Sequence, residues 1–282
     1  MKWHIVGSNG YIANRLIKSL PVSTSIVQYS RKANYDKYLE LASRDSAVFS
    51  EIAAGDFVVF LAAISSPDIC EQKYEMAYSI NVTGTSWFIK ECIKRNANVL
   101  FLSSDVVYGS ENCVFSELSN ANPVSKYGFM KYEVERNFSH NPHFKSFRLS
   151  YVFSAQDKFM IYIKRCLDGH AAAEVFDALY RNVIYLDDVV SAMIRLGERF
   201  TNYSVRIFNL SGPDLLTRKD IAAIYQQYNP AFQYTVRVPE AEFFIARPNV
   251  IRTRSLYLED LLGRPAISIN KAMHYELLNR KD

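Results

Sequence analysis

The sequence predicts an α/β fold, in which a doubly wound parallel sheet carries helices on both faces and a smaller mixed α/β lobe follows towards the C-terminus. Two observations predict it. Short apolar runs typical of buried parallel strands alternate with helical periodicity through the first half of the chain. A glycine turn, Gly7 to Ala13 in the pattern GxxGxxA, separates the first strand from the first helix. Such a turn brings a helix N-terminus close to a pyrophosphate, so the sheet is predicted to be of the dinucleotide-binding Rossmann type.

The composition is that of a globular enzyme. Of the 282 residues, 49% are hydrophobic and 22% charged. No apolar run approaches the roughly 20 residues that span a bilayer, and the N-terminus does not have the pattern of a signal peptide. The four cysteines are widely spaced without a CxxC pair, which argues against a zinc site or a disulfide framework. We therefore expect a cytoplasmic protein without metal and without a membrane partner.

The charge distribution shows no basic block, although it allows a local pocket for phosphorylated ligands. The net charge of +4 comes from 33 basic and 29 acidic residues that are scattered along the chain. A nucleic-acid-binding protein usually gathers its basic residues into a patch, so no nucleic-acid partner is predicted.

The order of the predicted elements indicates two parts. The βα alternation is regular up to residue 153 and loosens beyond it. We predict a dinucleotide-binding domain of residues 1–152 and about 183–213, and a substrate-binding lobe of about 153–182 and 214–282. The expected strands are 2–6, 25–29, 57–63, 99–102, 147–153 and 206–210. The expected helices are 10–20, 71–96, one from Asn122-Pro123, 157–168, one from Asp187, and one capped by Thr217 that ends at Tyr228; the remainder is expected to be helical and irregular.

The end of the second strand bears on the choice of cofactor. NAD-binding folds usually place an acidic residue there to bind the ribose 2′-hydroxyl, whereas an arginine suits a 2′-phosphate. Here Ser30, Arg31 and Lys32 stand in its place. We therefore favour NADP(H) over NAD(H), with Arg31 as the phosphate ligand because a guanidinium binds phosphate bidentately. A solvated charged turn is the alternative. The predicted cofactor contacts in these two segments are Gly7, Ser8, Asn9, Gly10, Tyr11, Ile12, Ser30, Arg31 and Lys32.

The stretch 99–135 carries the candidate catalytic side chains. An apolar strand ends at Ser104, and a helix beyond a polar loop carries Tyr127 and Lys131. Polar groups just past the carboxyl end of a parallel strand belong to a ligand cleft. A tyrosine and a lysine four residues apart share one helix face, where the ammonium would stabilise a phenolate and lower the tyrosine pKa. We predict that the three side chains form a proton-donating site.

Several segments, taken in order, resemble the extended short-chain dehydrogenase/reductases that modify nucleotide sugars. They are GSNGYIA, FLAA, INVTGT, FLSSDVVYG, NPVSKYGFMKYEVE, RNVIYLDDVV and FNLSGP, and they span most of residues 1–213. Within that family the chain looks most similar to the dTDP-4-dehydrorhamnose reductases, through AAISSPDICE, FRLSYVF and RPNVIRTRSLYLEDLLG.

The resemblance implies a role for each matching residue. Ser104 would hydrogen-bond the substrate carbonyl, Tyr127 would act as general acid, and Lys131 would bind the nicotinamide ribose. The cofactor positions would include Leu61, Ala62, Ala63 and Asn81, together with Tyr127 and Lys131. The substrate contacts would be Ser65, Ser104, Asp105 and Tyr151 for the sugar, and Arg181 and Arg247 for the diphosphate.

The implied activity is reduction of a nucleotide-activated 4-keto-6-deoxy sugar by NAD(P)H. Val106 follows Asp105 where the dehydratases of the family carry an acidic residue, which argues against dehydration. Two alternatives remain open: a nucleotide-sugar 4-epimerase with tightly bound NAD, and a non-catalytic regulatory subunit that retains dinucleotide binding. The family often forms homodimers, and the sequence does not determine whether this chain does.

Overall fold

The computed structural model describes residues 1–244 and 247–278. Its strands are β1 (Trp3–Val6), β2 (Ile26–Ser30), β3 (Lys37–Tyr38), β4 (Phe57–Phe60), β5 (Asn98–Ser104), β6 (Val114–Phe115), β7 (Phe144–Leu149), β8 (Tyr151–Phe153), β9 (Ala173–Phe176), β10 (Tyr180–Tyr185), β11 (Ile207–Leu210), β12 (Asp214–Leu216), β13 (Tyr234–Arg237) and β14 (Val250–Thr253). Its α-helices are α1 (Tyr11–Ser19), α2 (Pro67–Gln72), α3 (Tyr74–Tyr78), α4 (Thr85–Lys94), α5 (Lys126–Phe138), α6 (Lys158–Asp168), α7 (Leu186–Glu198), α8 (Arg218–Tyr228), α9 (Leu258–Leu262) and α10 (Ile269–Leu278).

The large sheet is parallel throughout, as predicted, and has the strand order of a Rossmann-type sheet. Its strands lie in the order β11-β7-β5-β4-β1-β2-β3. Trp3 of β1 pairs with Ile26 of β2 on one side and with Phe57 of β4 on the other. The chain order reverses between β1 and β4, and at such a point the loops separate and leave a crevice at the carboxyl edge of the sheet.

Helices cover both faces of this sheet, which confirms the doubly wound arrangement. Ile5 belongs to a core cluster that includes Leu16 of α1 and Met193 of α7. The next residue, Val6, belongs to the cluster on the other face, with Phe88 of α4. Because successive strand side chains point to opposite faces, a strand buried on both sides is apolar throughout.

The smaller lobe contains a mixed sheet and a separate strand pair. In the mixed sheet β10 pairs antiparallel with β12 and parallel with β8 and β14, and β6 is added beside β14. The separate pair is β9 with β13. The lobe's sheet therefore includes β6 and all of β10, which ends at Tyr185. The predicted boundaries had assigned residues 114–115 and 183–185 to the first domain. Residues 279–282 of the predicted lobe lie outside the described residues.

The helix predicted over residues 71–96 is interrupted twice. Lys73 has φ −125° and ψ 54°, outside the helical region, and separates α2 from α3. A π-helical segment, Ser79–Gly84, then joins α3 to α4. A β-carbon on Gly84 would collide with the carbonyl oxygen of Leu41, so glycine allows this segment to pass close to a neighbouring loop.

Two further boundaries differ from the sequence prediction. The helix expected from Asn122-Pro123 begins at Lys126, because the Ser125 hydroxyl caps it by accepting a hydrogen bond from the Gly128 amide at 3.1 Å. The strand expected over residues 147–153 is divided at Ser150, since β7 belongs to the large sheet and β8 to the small one.

The stretch after residue 229 was expected to be helical and irregular, but it contains β13 and β14. Both are only four residues long, and their pairing partners are distant in sequence. No helix in the described part of the chain is both long and apolar enough to cross a membrane.

Candidate active site

The glycine turn forms one end of a cleft at the carboxyl edge of the large sheet. Gly7 has φ +89°, and a β-carbon there would lie 2.9 Å from the Ala62 amide nitrogen, so the position requires glycine. Gly10 is the N-cap of α1 and provides no side-chain acceptor for the first amides of the helix. These amides can therefore bind an anion, and the turn fits the pyrophosphate of a dinucleotide.

The structure brings together in this first cleft most of the residues predicted for the cofactor. Its walls include the predicted Gly7, Asn9, Gly10, Ser30, Arg31, Leu61, Ala62 and Ala63. The sequence analysis missed further lining residues, namely Val6, Tyr29, Leu39, Glu40, Leu41, Ile64 and Ile80. Leu39, Glu40 and Leu41 directly follow β3. This strand has only two residues, which is too short to give a recognisable sequence pattern.

Some predicted cofactor residues do not line this cleft. The buried Ser8 hydroxyl donates to the Ile5 carbonyl at 2.6 Å, and the Tyr11 hydroxyl donates to the Val152 carbonyl at 3.0 Å. Ile12 packs against the core between α1 and the sheet. The side chains of these three residues therefore hold the turn in place without lining the cleft. Lys32 is exposed and lies outside the cleft lining.

Asn81 also supports the cleft rather than lining it. Its side chain is buried and forms two hydrogen bonds with the backbone of Ile64, accepting from the amide at 2.8 Å and donating to the carbonyl at 2.9 Å. The neighbouring Ala62 and Ala63 line the cleft. Asn81 thus fixes the chain beyond β4, and its side chain is not among the residues that line the cleft predicted for the cofactor.

Helix α5 places Tyr127 and Lys131 near the end of β5. The Lys131 Nζ donates to the Leu102 carbonyl at 2.6 Å and lies 5.8 Å from the centroid of the Tyr127 ring. Leu102 precedes Ser104 by two residues, so the lysine links the helix to the strand end that carries the serine. Tyr127 and Lys131 therefore lie close to each other, and Lys131 contacts the strand that ends in Ser104.

The electrostatics of this pair differ from the prediction. Burial lowers the pKa of Lys131 to about 8. The pKa of Tyr127 is raised by burial, with Cys70 and Asp105 adding to the effect. The spacing predicted that Lys131 would lower the tyrosine pKa; the direction is the opposite because desolvation of the phenolate dominates.

Ser104 and Asp105 form the turn at the end of β5. The Ser104 hydroxyl accepts from the Val106 amide at 3.4 Å and donates to a carboxylate oxygen of Asp105 at 3.3 Å. Asp105 is only 4% exposed, and burial raises its pKa although the Arg181 Nε lies 3.7 Å away. The other carboxylate oxygen of Asp105 has no hydrogen-bond partner among the described residues.

A second cavity, of about 350 Å³, separates Tyr127 from the smaller lobe. This volume is within the range of small-molecule sites. Its lining residues are Pro67, Asp68, Val106, Ser125, Tyr127, Phe176, Leu179, Arg181, Arg218, Phe243, Arg247 and Pro248. Both arginines predicted for the diphosphate are present. Arg218 was missed, although its position directly after the predicted cap Thr217 placed it at the start of a helix.

None of the four residues predicted to contact the sugar lines this cavity; Ser104 and Asp105 directly precede the lining residue Val106. Tyr151 lines a smaller cavity of about 170 Å³ that also contains Arg181 and Arg218, and its hydroxyl donates to Asp157 at 3.0 Å. Ser65 is exposed in the loop after β4 and lines neither cavity.

The chain is similar in sequence to known proteins. The model of the family described as RmlD substrate binding domain matches residues 1–246. A dTDP-4-dehydrorhamnose reductase from Sinorhizobium fredii is 29% identical over 221 residues, which are 75% of this chain and 73% of that protein. Methionine adenosyltransferase 2 subunit beta from Xenopus tropicalis is 26% identical over 232 residues, or 77% and 69% of the two chains.

Solved structures share the fold. A dTDP-4-dehydrorhamnose reductase from Bacillus anthracis in complex with NADP superposes with a TM-score of 0.82 at 20% identity, covering 99% of both chains. A UDP-glucuronic acid 4-epimerase from Bacillus cereus, in complex with UDP-glucuronic acid and NAD, superposes with a TM-score of 0.82 at 18% identity, covering 98% of both chains.

Proposed function

The chain belongs to the RmlD substrate binding domain family, and we propose that it is an NAD(P)H-dependent reductase of a nucleotide-activated 4-keto-6-deoxy sugar. The observation that carries the proposal is the position of Tyr127, a partly buried phenol that lines the 350 Å³ cavity and shares a helix face with Lys131. The similarity to a dTDP-4-dehydrorhamnose reductase from Sinorhizobium fredii supports this substrate class.

The chain's own residues supply positioning and a proton. The Ser104 hydroxyl orients the C4 carbonyl of the sugar, and the Tyr127 hydroxyl donates its proton to the oxygen that becomes negative as the carbonyl is reduced. Lys131 uses one of its three donors on Leu102 and retains the others for a ribose hydroxyl. A bound nicotinamide dinucleotide supplies the hydride.

The pKa of Tyr127 agrees with a proton-donating role. An ordinary phenol is already protonated at neutral pH, and burial raises the pKa of Tyr127 further, so its hydroxyl is available to donate a proton.

The test of the proposal is the variant Tyr127→Phe. We expect its kcat for oxidation of NADPH with a nucleotide-linked 4-keto sugar to fall roughly 10²- to 10⁴-fold, because a general acid is removed. Its dissociation constant for NADPH should change less than about twofold. The matched control is Tyr132→Phe, one residue beyond Lys131 on the same helix, where the ring packs against a separate apolar cluster. Full activity of Tyr127→Phe would exclude the mechanism.

A second candidate is the 4-epimerase. It is favoured by the fold shared with a UDP-glucuronic acid 4-epimerase whose structure contains NAD. Release of tightly held NAD from the purified, denatured protein would favour the epimerase. Stoichiometric consumption of exchangeable NADPH, followed by absorbance against a panel of nucleotide-linked 4-keto sugars, would favour the reductase.

A third candidate is a non-catalytic subunit. The similarity to methionine adenosyltransferase 2 subunit beta favours it, whereas the retained Ser104, Tyr127 and Lys131 favour an enzyme. A stoichiometric partner in a pull-down, together with no turnover of any keto sugar in the panel, would select the subunit.

A further inference from the structure

Three arginines line the 350 Å³ cavity, and two of them are already engaged by the protein. Arg181 donates from Nη2 to the Pro248 carbonyl at 2.7 Å and from Nη1 to the Tyr180 carbonyl at 2.8 Å, and its Nε faces Asp105. This guanidinium ties β10 to the loop that precedes β14.

Arg247 is engaged in a similar way. It forms an ion pair with Asp68, at the start of α2, and its guanidinium carbon lies 4.6 Å from the centroid of the Phe243 ring. The pair joins the large domain to the smaller lobe across the mouth of the cavity. A ligand anion would have to compete with Asp68 for this arginine.

Arg218 differs from both. It is the first residue of α8, its side chain is exposed, and its guanidinium carbon lies 5.2 Å from the centroid of the Phe159 ring. Within residues 1–244 and 247–278, its guanidinium has neither a hydrogen-bond acceptor nor an ion-pair partner. The aromatic contact holds the planar group while its N–H donors remain available.

The position of Arg218 indicates which part of a ligand it meets. It lines the cavity that contains Tyr127 and also the adjoining cavity of about 170 Å³. The walls of the smaller cavity are mainly apolar and aromatic, with Leu216, Ile221 and Tyr151 among them, which suits a planar base. In a nucleotide sugar the phosphates lie between the sugar and the base.

We propose that Arg218 binds a phosphate group of the nucleotide part of the ligand and makes binding dependent on that phosphate. The inference rests on the proposed function for the identity of the ligand. Its physical basis is the fork of guanidinium donors, which matches phosphate oxygens in a bidentate arrangement.

The test compares phosphorylated and unphosphorylated probes by titration calorimetry. The probes are dTDP and UDP, with thymidine and uridine as their counterparts without phosphate. The variants are Arg218→Gln, Arg218→Lys and the control Lys219→Gln, which removes the same charge from the next residue of α8. Lys219 is ion-paired with Asp177 and does not line either cavity.

We expect Arg218→Gln to weaken the better-bound nucleoside diphosphate at least tenfold, about 1.4 kcal/mol, and to leave the nucleoside unchanged. Arg218→Lys should recover part of the loss, because it keeps the charge without the fork, and Lys219→Gln should change the affinity less than twofold. Any of three results would overturn the inference. Arg218→Gln could lose affinity equally for the nucleotide and the nucleoside, it could bind the nucleoside diphosphate with unchanged affinity, or the wild type could bind neither diphosphate. Failure of the proposed function is distinct, since it is measured as absence of keto-sugar reduction.

Discussion

Arg31 lines the first cleft at the end of β2, where a dinucleotide-binding fold contacts the adenosine ribose. We predict that Arg31→Ala raises the KM for NADPH about 10- to 100-fold, the effect of losing a charged hydrogen bond to the 2′-phosphate. The KM for NADH should change less than about threefold. Lys32→Ala is the control, since the neighbouring lysine lies outside the cleft lining. Equal increases in the KM for NADPH and the KM for NADH in Arg31→Ala would contradict a preference for NADP(H).

Lys131 gives the site an expected pH dependence. Burial lowers its pKa to about 8, so the ammonium is charged below that pH and becomes neutral as the pH rises through it. The Tyr127 pKa is raised, so the phenol stays protonated over the same range. We predict that kcat/KM for NADPH-dependent reduction falls above pH about 8, because a neutral amine is a weaker partner for the cofactor ribose.

The chain provides a matched control for this pH profile. Lys145 is also buried, and its pKa is also lowered to about 8. Its Nζ donates to the carbonyls of Tyr203 and Val205, and it lines neither the first cleft nor the two cavities near Tyr127. In Lys145→Met, kcat/KM should still fall above pH about 8. In Lys131→Met, kcat/KM should be low and should not fall further in this pH range. A decrease that persists in Lys131→Met would assign the titration to another group.

At the scale of single elements, the features that follow from local sequence were predictable. Apolar runs predicted β1 and β4, and the GxxGxxA pattern predicted the turn at Gly7. Thr217 was predicted to cap α8, and the structure has a capping box between Thr217 and Asp220. In each case the determining interactions lie within a few residues of one another, so the pattern is visible in the sequence.

Elements determined by distant contacts were not predictable. The π-helical segment depends on Gly84 passing the Leu41 carbonyl, and the role of Asn81 depends on the backbone of Ile64, 17 residues earlier. The lowered pKa expected for Tyr127 was wrong because the prediction considered a neighbouring charge and not burial. Local spacing contains no information about desolvation, which depends on the packing of the whole site.

At the scale of the whole molecule, the smaller lobe is completed by strands and helices from remote parts of the chain. β14 pairs with β10 and with β6, so residues 250–253 contact residues 180–181 and 114–115. The prediction of a Rossmann-type sheet needed only the alternation of strands and helices, whereas these pairings depend on the folded topology. For this reason the strands of the large sheet were predicted apart from the two-residue β3, and the strand pairing within the lobe was not predicted.

Glu276 of α10 connects this lobe to the large domain. Its side chain is buried and accepts hydrogen bonds from Arg15 of α1 at 3.2 Å, from the Tyr185 hydroxyl at 2.9 Å and from the Ala155 amide at 2.9 Å. Removal of the carboxylate leaves these donors buried with fewer acceptors. Such a loss costs more than the hydrogen bonds themselves contribute.

We predict that Glu276→Ala lowers the free energy of unfolding by about 3 kcal/mol, which corresponds to a Tm lower by roughly 5–10 °C for a chain of this size. The measurement is thermal denaturation followed by circular dichroism. Glu259→Ala, an exposed carboxylate on α9, is the control and should change the stability by less than about 0.5 kcal/mol. Equal Tm values for the two variants would show that this carboxylate does not hold the two parts together. Because the cavity that contains Tyr127 lies between those parts, a lower Tm in Glu276→Ala should be accompanied by weaker binding of dTDP at temperatures below the transition.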